Sequence, residues 1–138
     1  MLLAVVDGQG GGIGKLIVEK TRAEFGGQIE ILALGTNALA TSLMLKAGAD
    51  EGASGENAVV FNASKADVIM GSVGIIASNS MRGELTPLMA KAIAESPAKK
   101  ILIPLNRCGL YVVDAVSKPL SAYADDAVLL LKNLCCSK

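Results

Sequence analysis

The chain has 138 residues, with 13 Lys plus Arg against 13 Asp plus Glu and no His. Balanced charge argues against nucleic acid and against an anionic membrane surface as partners. The missing His excludes imidazole bases, Ser-His or Cys-His nucleophile pairs and His metal ligands, and four aromatic residues (Phe25, Phe61, Tyr111, Tyr123) are too few for base-stacking platforms.

Leu2 to Val6 is a continuous apolar run, as a strand buried on both faces requires. It is too short for a signal-peptide core, and no apolar run reaches the ~18 residues of a membrane span, so a cytoplasmic protein is expected. A glycine loop, Gly8 to Gly14, follows. A helix is predicted from about Gly12 to Phe25, because Gly14, Ile17, Val18, Thr21 and Phe25 share one helical face. Gly26-Gly27 ends it. Ile29 to Leu34 is the second strand, and Asn37 caps a helix to Ala47 that Gly48 stops. Ala49 to Ala53 reads as a short edge strand, and Ser54 as the cap of a helix from Gly55 to Lys65. Ala58 to Phe61 alone would pass for a strand, but too few residues separate it from Asp67 for a parallel crossover.

Asp67 to Gly71 is the third long strand, followed by a polar-spotted loop from Ser72 to Gly83. Thr86-Pro87 opens a helix to about Glu95. Lys100 to Pro104 is a buried strand, and Leu110 to Val113 a short strand on the sheet edge. Ser121 caps the last helix, whose Ala124, Ala127, Val128, Leu131 and Cys135 share a face. The alternation implies a single domain over 1–138 of α/β class. It is a three-layer, Rossmann-like fold with a mostly parallel sheet of about five strands and helices on both faces. The expected strand order is 3-2-1-4-5, with a flavodoxin-like order as the alternative. Hydrophobic content of 51% at zero net charge favours self-association into a homo-oligomer. Cys108, Cys135 and Cys136 read as reduced thiols.

The most informative segment is Asp7-Gly8-Gln9-Gly10-Gly11-Gly12-Ile13-Gly14-Lys15, which carries five of the fifteen glycines between a strand and a helix. Such a loop turns tightly, lets backbone N–H groups approach a ligand and aims a helix N-terminus at it, which suits a phosphate. Its spacing resembles the Gly-x-x-x-Gly-x-Gly loop of short-chain dehydrogenases. The Gly-x-Gly-x-x-Gly fingerprint fails at Ile13. A Walker A loop fails because Leu16, not Ser or Thr, follows Gly14-Lys15. No acid stands at Gly35-Thr36-Asn37, where a dinucleotide site usually has one, and no Tyr-x-x-x-Lys pair exists, since Ala115 and Ala127 follow Tyr111 and Tyr123 at that spacing. NAD(P) leads other nucleotides as the expected cofactor, on the loop alone.

Ligands of parallel α/β sheets bind outside the carboxyl ends of the strands. The candidate cofactor-binding residues are therefore Gly8, Gln9, Gly10, Gly11, Gly12, Ile13, Gly14, Thr36, Asn37, Gly71 and Ser72. The candidate substrate-binding residues are Asn79, Ser80, Arg82, Asn106 and Arg107, the arginines as an anion clamp. Asp7, Glu84 and Arg107 are the catalytic candidates, and no metal site is assigned. Each has a plain structural alternative. Asp7 can bond the N–H groups of its own turn. Thr36 and Asn37 can cap a helix, and Glu84 can precede one. The arginines and Lys15 can be solvated, and Cys108 can be an inert thiol.

Three segments together carry a resemblance: Asp7 to Lys15, Ala33-Leu34-Gly35-Thr36-Asn37-Ala38-Leu39-Ala40-Thr41, and Ser78-Asn79-Ser80-Met81-Arg82-Gly83-Glu84-Leu85-Thr86-Pro87. Lys100-Ile101-Leu102-Ile103-Pro104-Leu105-Asn106 fits as well. The chain resembles an uncharacterised bacterial family of unknown function made of short stand-alone Rossmann-like proteins. The resemblance implies the fold and supplies no activity. Three functions compete: a nucleotide- or dinucleotide-binding sensor, a small enzyme acting on a phosphorylated or nucleotide substrate, and an interaction subunit whose glycine loop is purely structural.

Overall fold

A computed structural model describes residues 1–105, 107 and 109–136. Five parallel strands form one sheet: β1 (Leu2–Asp7), β2 (Glu30–Gly35), β3 (Glu51–Ser54), β4 (Val68–Ser72) and β5 (Lys99–Ile103). Their order is β3-β2-β1-β4-β5, so the Rossmann-type arrangement holds. The helices are α1 (Gly12–Phe25), α2 (Ala38–Ala47), α3 (Glu56–Ala63), α4 (Pro87–Glu95) and α5 (Leu120–Cys136).

Alternation along the strands divides the core in two. Leu3 and Val5 of β1 face one side, where they pack with Ile17 and Val18 of α1, Met44 of α2 and Leu131 of α5. Ala4 and Val6 face the other, with Val59 of α3 and Met89 and Ile93 of α4. Both faces are apolar because both are covered, which is why the central strands read as unbroken hydrophobic runs. The first two crossovers lie on one face and the next two on the other, so the direction of winding reverses between β1 and β4. That is the switch point at which ligands of such sheets bind.

Caps fix the helix starts. Asn37 Oδ1 accepts from Ala40 N–H (2.9 Å) at the head of α2, and Thr86 Oγ1 accepts from Met89 N–H (3.2 Å) at the head of α4. Arg22 ties α1 to the turns beside it. Its Nε and Nη2 donate to Gly48 O (3.0 and 2.8 Å), its Nη1 to Ile29 O (3.0 Å) and Gly26 O (2.6 Å), and its Nη2 to Asp50 Oδ2 (2.8 Å).

Three local expectations are corrected. Ser54 does not cap α3: it ends β3, its Oγ lies 2.7 Å from Thr41 Oγ1, and Gly55 takes the cap position with φ 98°. Ser121 lies inside α5, which begins at Leu120 with the Pro119 carbonyl accepting from Ala122 and Tyr123. Leu110 to Val113 is not a strand. Tyr111 and Val113 are 82% and 87% exposed, and no strand lies beyond β5 among the described residues. Its apolar composition suggested an edge strand, but a strand needs a neighbour to pair with, and among the described residues β5 is the sheet edge. No described helix is long and apolar enough to cross a membrane.

Candidate functional site

The carboxyl ends of β1 and β4 open into a cleft of about 290 Å³. Its floor is Asp7 to Ile13, the end of β1 and the head of α1. Ser72 and Gly74 come from β4 and the turn after it. Met81 and Arg82 come from the next loop, and Leu105, Arg107 and Leu120 from the stretch between β5 and α5. The sequence reading missed Leu105 and Leu120. Leu105 follows the end of β5 and was discoverable by the rule that collects strand ends; Leu120 reaches the cleft only through the path of the chain between β5 and α5.

The glycine loop is built around Asp7. This residue is 5% exposed, yet its Oδ1 accepts from Gly8 N–H (2.8 Å) and its Oδ2 from Gly14 N–H (2.6 Å). Burial raises its pKa. The two N–H groups and the Arg107 charge oppose that rise, while the Glu84 charge adds to it. Asp7 therefore ties the end of β1 to the first turn of α1, the structural role that its position allowed, and neither oxygen is left without a bond. Close approach explains Gly14: a Cβ there would stand 2.8 Å from Asp7 Cβ and 2.6 Å from Met44 Sδ.

The loop's other anchor is Glu84. Three groups donate to its Oε1: Gln9 N–H (2.8 Å), Thr36 Oγ1 (2.7 Å) and Asn37 Nδ2 (2.8 Å). Chiefly the Gln9 N–H, and then the Thr36 hydroxyl and Asn37 amide, hold the Glu84 carboxyl below the usual carboxylate range. Asn37 Nδ2 also donates to Gln9 O (3.0 Å). The Gln9 peptide is thus gripped on both sides, which keeps a non-glycine residue at φ 48°.

Helix α1 presents unused donors to the cleft. Gly11 N–H bonds to Gly8 O, Gly14 N–H to Asp7 and Lys15 N–H to Gly11 O, but the N–H groups of Gly12 and Ile13 take no acceptor among the described residues. Both residues line the cleft, and the positive end of the helix dipole points the same way.

The expected site residues divide accordingly. Gly8, Gln9, Gly10, Gly11, Gly12, Ile13, Ser72, Arg82 and Arg107 surround one cavity. Thr36 and Asn37 do not line it; both donate to Glu84. Gly71 is buried in β4, where a Cβ would meet Val6 O at 2.7 Å, so its role is packing. Ser80 is 3% exposed and donates to Gly74 O (2.5 Å), which shapes the loop. Asn79 does not line the cleft; it is exposed at φ 65°. Lys15 pairs with Glu19 (3.9 Å). Asn106 and Cys108 lie outside the described residues. Among the described residues no cluster of Cys, Asp and Glu could hold a metal ion.

Two solved structures are similar to the chain. One is a universal stress protein in complex with cAMP, with a TM-score of 0.42 and 18% identity over 74% of this chain and 96% of that one. The other is a dodecameric FMN-dependent Ubix-like decarboxylase from Escherichia coli O157:H7, with a TM-score of 0.46 and 17% identity over 97% of this chain and 76% of that one. No curated protein matches the sequence. The family model described as Domain of unknown function (DUF3842) matches residues 2–135, nearly the whole chain, and the protein belongs to that family.

Proposed function

We propose that this protein binds a small phosphorylated ligand of the nucleotide class, with a phosphate on the glycine loop, and that it acts as a binding or sensing protein. The observation that carries the reading is the pair of unused N–H groups, Gly12 and Ile13, at the cleft end of α1. Arg82 and Arg107, which line the same cleft from different loops, supply the positive charge that such a ligand needs. Binding is favoured over turnover by the state of the two candidate acids. Asp7 and Glu84 both serve as acceptors for the protein's own N–H and O–H groups, which suits scaffolding better than proton transfer.

A homo-oligomer belongs to the same reading, since Leu129, Leu130, Tyr111 and Val113 leave apolar side chains in solvent. Light scattering tests it, and a monomer would count against it.

The decisive experiment is thermal unfolding with inorganic phosphate, AMP, ATP, cAMP, FMN, NAD(H) and NADP(H), each with and without Mg²⁺. A ligand at 100 times its Kd adds about 2.7 kcal/mol of stability, a rise on the order of 5 °C for a domain of this size. Gly12→Val, which sets a side chain in the cleft at a position where a Cβ meets nothing within 4 Å, should remove that rise and leave the fold intact. No shift with any compound defeats the proposal and leaves the glycine loop as a structural turn.

A further inference from the structure

We infer that Glu84 sets the ligand class of this cleft: by occupying the β2 side of the glycine loop it admits a mononucleotide, ending in one phosphoryl group, and excludes dinucleotides. This rests on the phosphate reading above and goes further by naming which half of the switch point is open.

A dinucleotide on a sheet of this type straddles the switch point. Its pyrophosphate sits at the helix N-terminus, one nucleoside lies over each half of the sheet, and one ribose meets the end of β2. Here only one half is available. The cavity draws its walls from the end of β1 and the head of α1, from β4 and the loop with Met81 and Arg82, and from the chain between β5 and α5, and none from β2, α2 or β3. The missing side is filled. Thr36 Oγ1, Asn37 Nδ2 and the Gln9 N–H, the groups best placed to meet a ribose, all donate to Glu84 Oε1.

The space above Gly8 is equally closed. A Cβ at Gly8 would strike Thr36 Oγ1 and would lie 2.7 Å from Met81 Sδ and 3.2 Å from Glu84 Oε1. The loop that carries Met81 and Glu84 is fixed by Ser80, whose buried hydroxyl bonds Gly74 O, and by the Asn79 N–H bond to Leu85 O (2.8 Å). The blocking groups are therefore part of the folded framework. Charge acts in the same direction, because a carboxylate beside Gln9 repels a second phosphate at that end of the loop. The cavity of about 290 Å³ also lies at the small end of ligand pockets, about 300–1,000 Å³.

Isothermal titration with matched pairs, AMP against NAD⁺ and FMN against FAD, together with inorganic phosphate, tests the inference. In the wild-type protein the phosphomonoester of whichever pair binds should be at least about ten-fold tighter than its dinucleotide. Glu84→Ala should narrow that ratio several-fold by opening the β2 side. Glu84→Gln, which keeps the shape and an acceptor but loses the charge, should narrow it less. Circular dichroism confirms that the variants fold, and the wild-type ratio decides the matter even where one does not.

A dinucleotide bound as tightly as its phosphomonoester overturns the inference and leaves the phosphate reading intact. So does an unchanged ratio in folded Glu84→Ala. Dinucleotide binding that Glu84→Gln weakens would make Glu84 a ribose acceptor instead, and binding of inorganic phosphate alone would remove the nucleotide class. If wild-type protein binds none of the five, the phosphate reading falls and the inference falls with it.

Discussion

Replacing Gly14 and Gly12 by alanine, separately, gives the sharpest test of how the glycine loop is built. Both residues lie in the first turn of α1, and in a helix alanine is favoured over glycine by up to about 1 kcal/mol. On propensity alone, both variants gain. The surroundings separate them. At Gly12 a new Cβ meets nothing within 4 Å, so the gain survives. At Gly14 it would lie 2.6 Å from Met44 Sδ, 2.8 Å from Asp7 Cβ and 3.0 Å from Asp7 Oδ2. Met44 can swing its thioether away. Asp7 cannot retreat, because it is buried on β1 and held by its bonds to Gly8 and Gly14. Overpacking of this kind costs about 1–3 kcal/mol. The contact with Asp7 puts Gly14→Ala toward the upper end, a net loss of about 1–2 kcal/mol after the propensity gain. For a chain of this size that lowers Tm by about 5 °C. Urea and thermal unfolding followed by circular dichroism measure both variants, and their difference cancels the shared propensity term. A Gly14→Ala protein as stable as wild type, or as stable as Gly12→Ala, would refute the close-contact account of Gly14.

Further outcomes follow from other parts of the molecule. Thr21 is fully buried and its Oγ1 has no hydrogen-bond partner among the described residues, so Thr21→Val should stabilise the protein by about 1–2 kcal/mol in urea unfolding. Arg22→Ala removes five hydrogen bonds at the turns around α1 and should cost about 2–3 kcal/mol. Arg22→Lys should recover little of it, because an ammonium cannot reproduce the planar fork. Arg82→Ala and Arg107→Ala should each weaken phosphate-ligand binding by about ten-fold while leaving Tm within about 1 °C of wild type, since both side chains are exposed.

Acidification provides one more prediction. The pKa of Glu84 is held below its ordinary 4.5, so its contribution to stability is complete above that value and is lost as pH falls through the lower, folded value. Asp7 has the opposite sign: its raised pKa makes the ionised form unfavourable, and stability falls as pH rises from 3.8 through the folded value. Urea unfolding from about pH 3 to pH 7 should show a shallower acid loss in Glu84→Gln than in wild type. Identical slopes would mean that the three bonds to Glu84 do not stabilise the fold.

Much of this architecture was present in the sequence. The order of strands and helices followed from apolar runs and helical faces a few residues long, and Asn37 and Thr86-Pro87 marked two helix starts because a cap acts on N–H groups within three residues. The cluster of glycines between a strand and a helix marked the loop for the same reason. Where local composition stood in for strand pairing it failed: Leu110 to Val113 has the composition of a strand but no strand to pair with among the described residues.

The design of the site was settled by the tertiary structure. No acid follows β2 in the sequence, yet a carboxylate stands there in space, delivered to Thr36 by Glu84 from 48 residues away. The same residue holds the Gln9 N–H across a separation of 75. Asp7 is a buried staple because the first turn of α1 brings the Gly14 N–H to its carboxylate, a contact between residues seven apart that only the folded helix makes. Hydrophobic periodicity and caps act through neighbours along the chain, so a sequence displays them directly. Which carboxylate closes one side of a cleft depends on where distant loops meet, and packing of the whole sheet decides that.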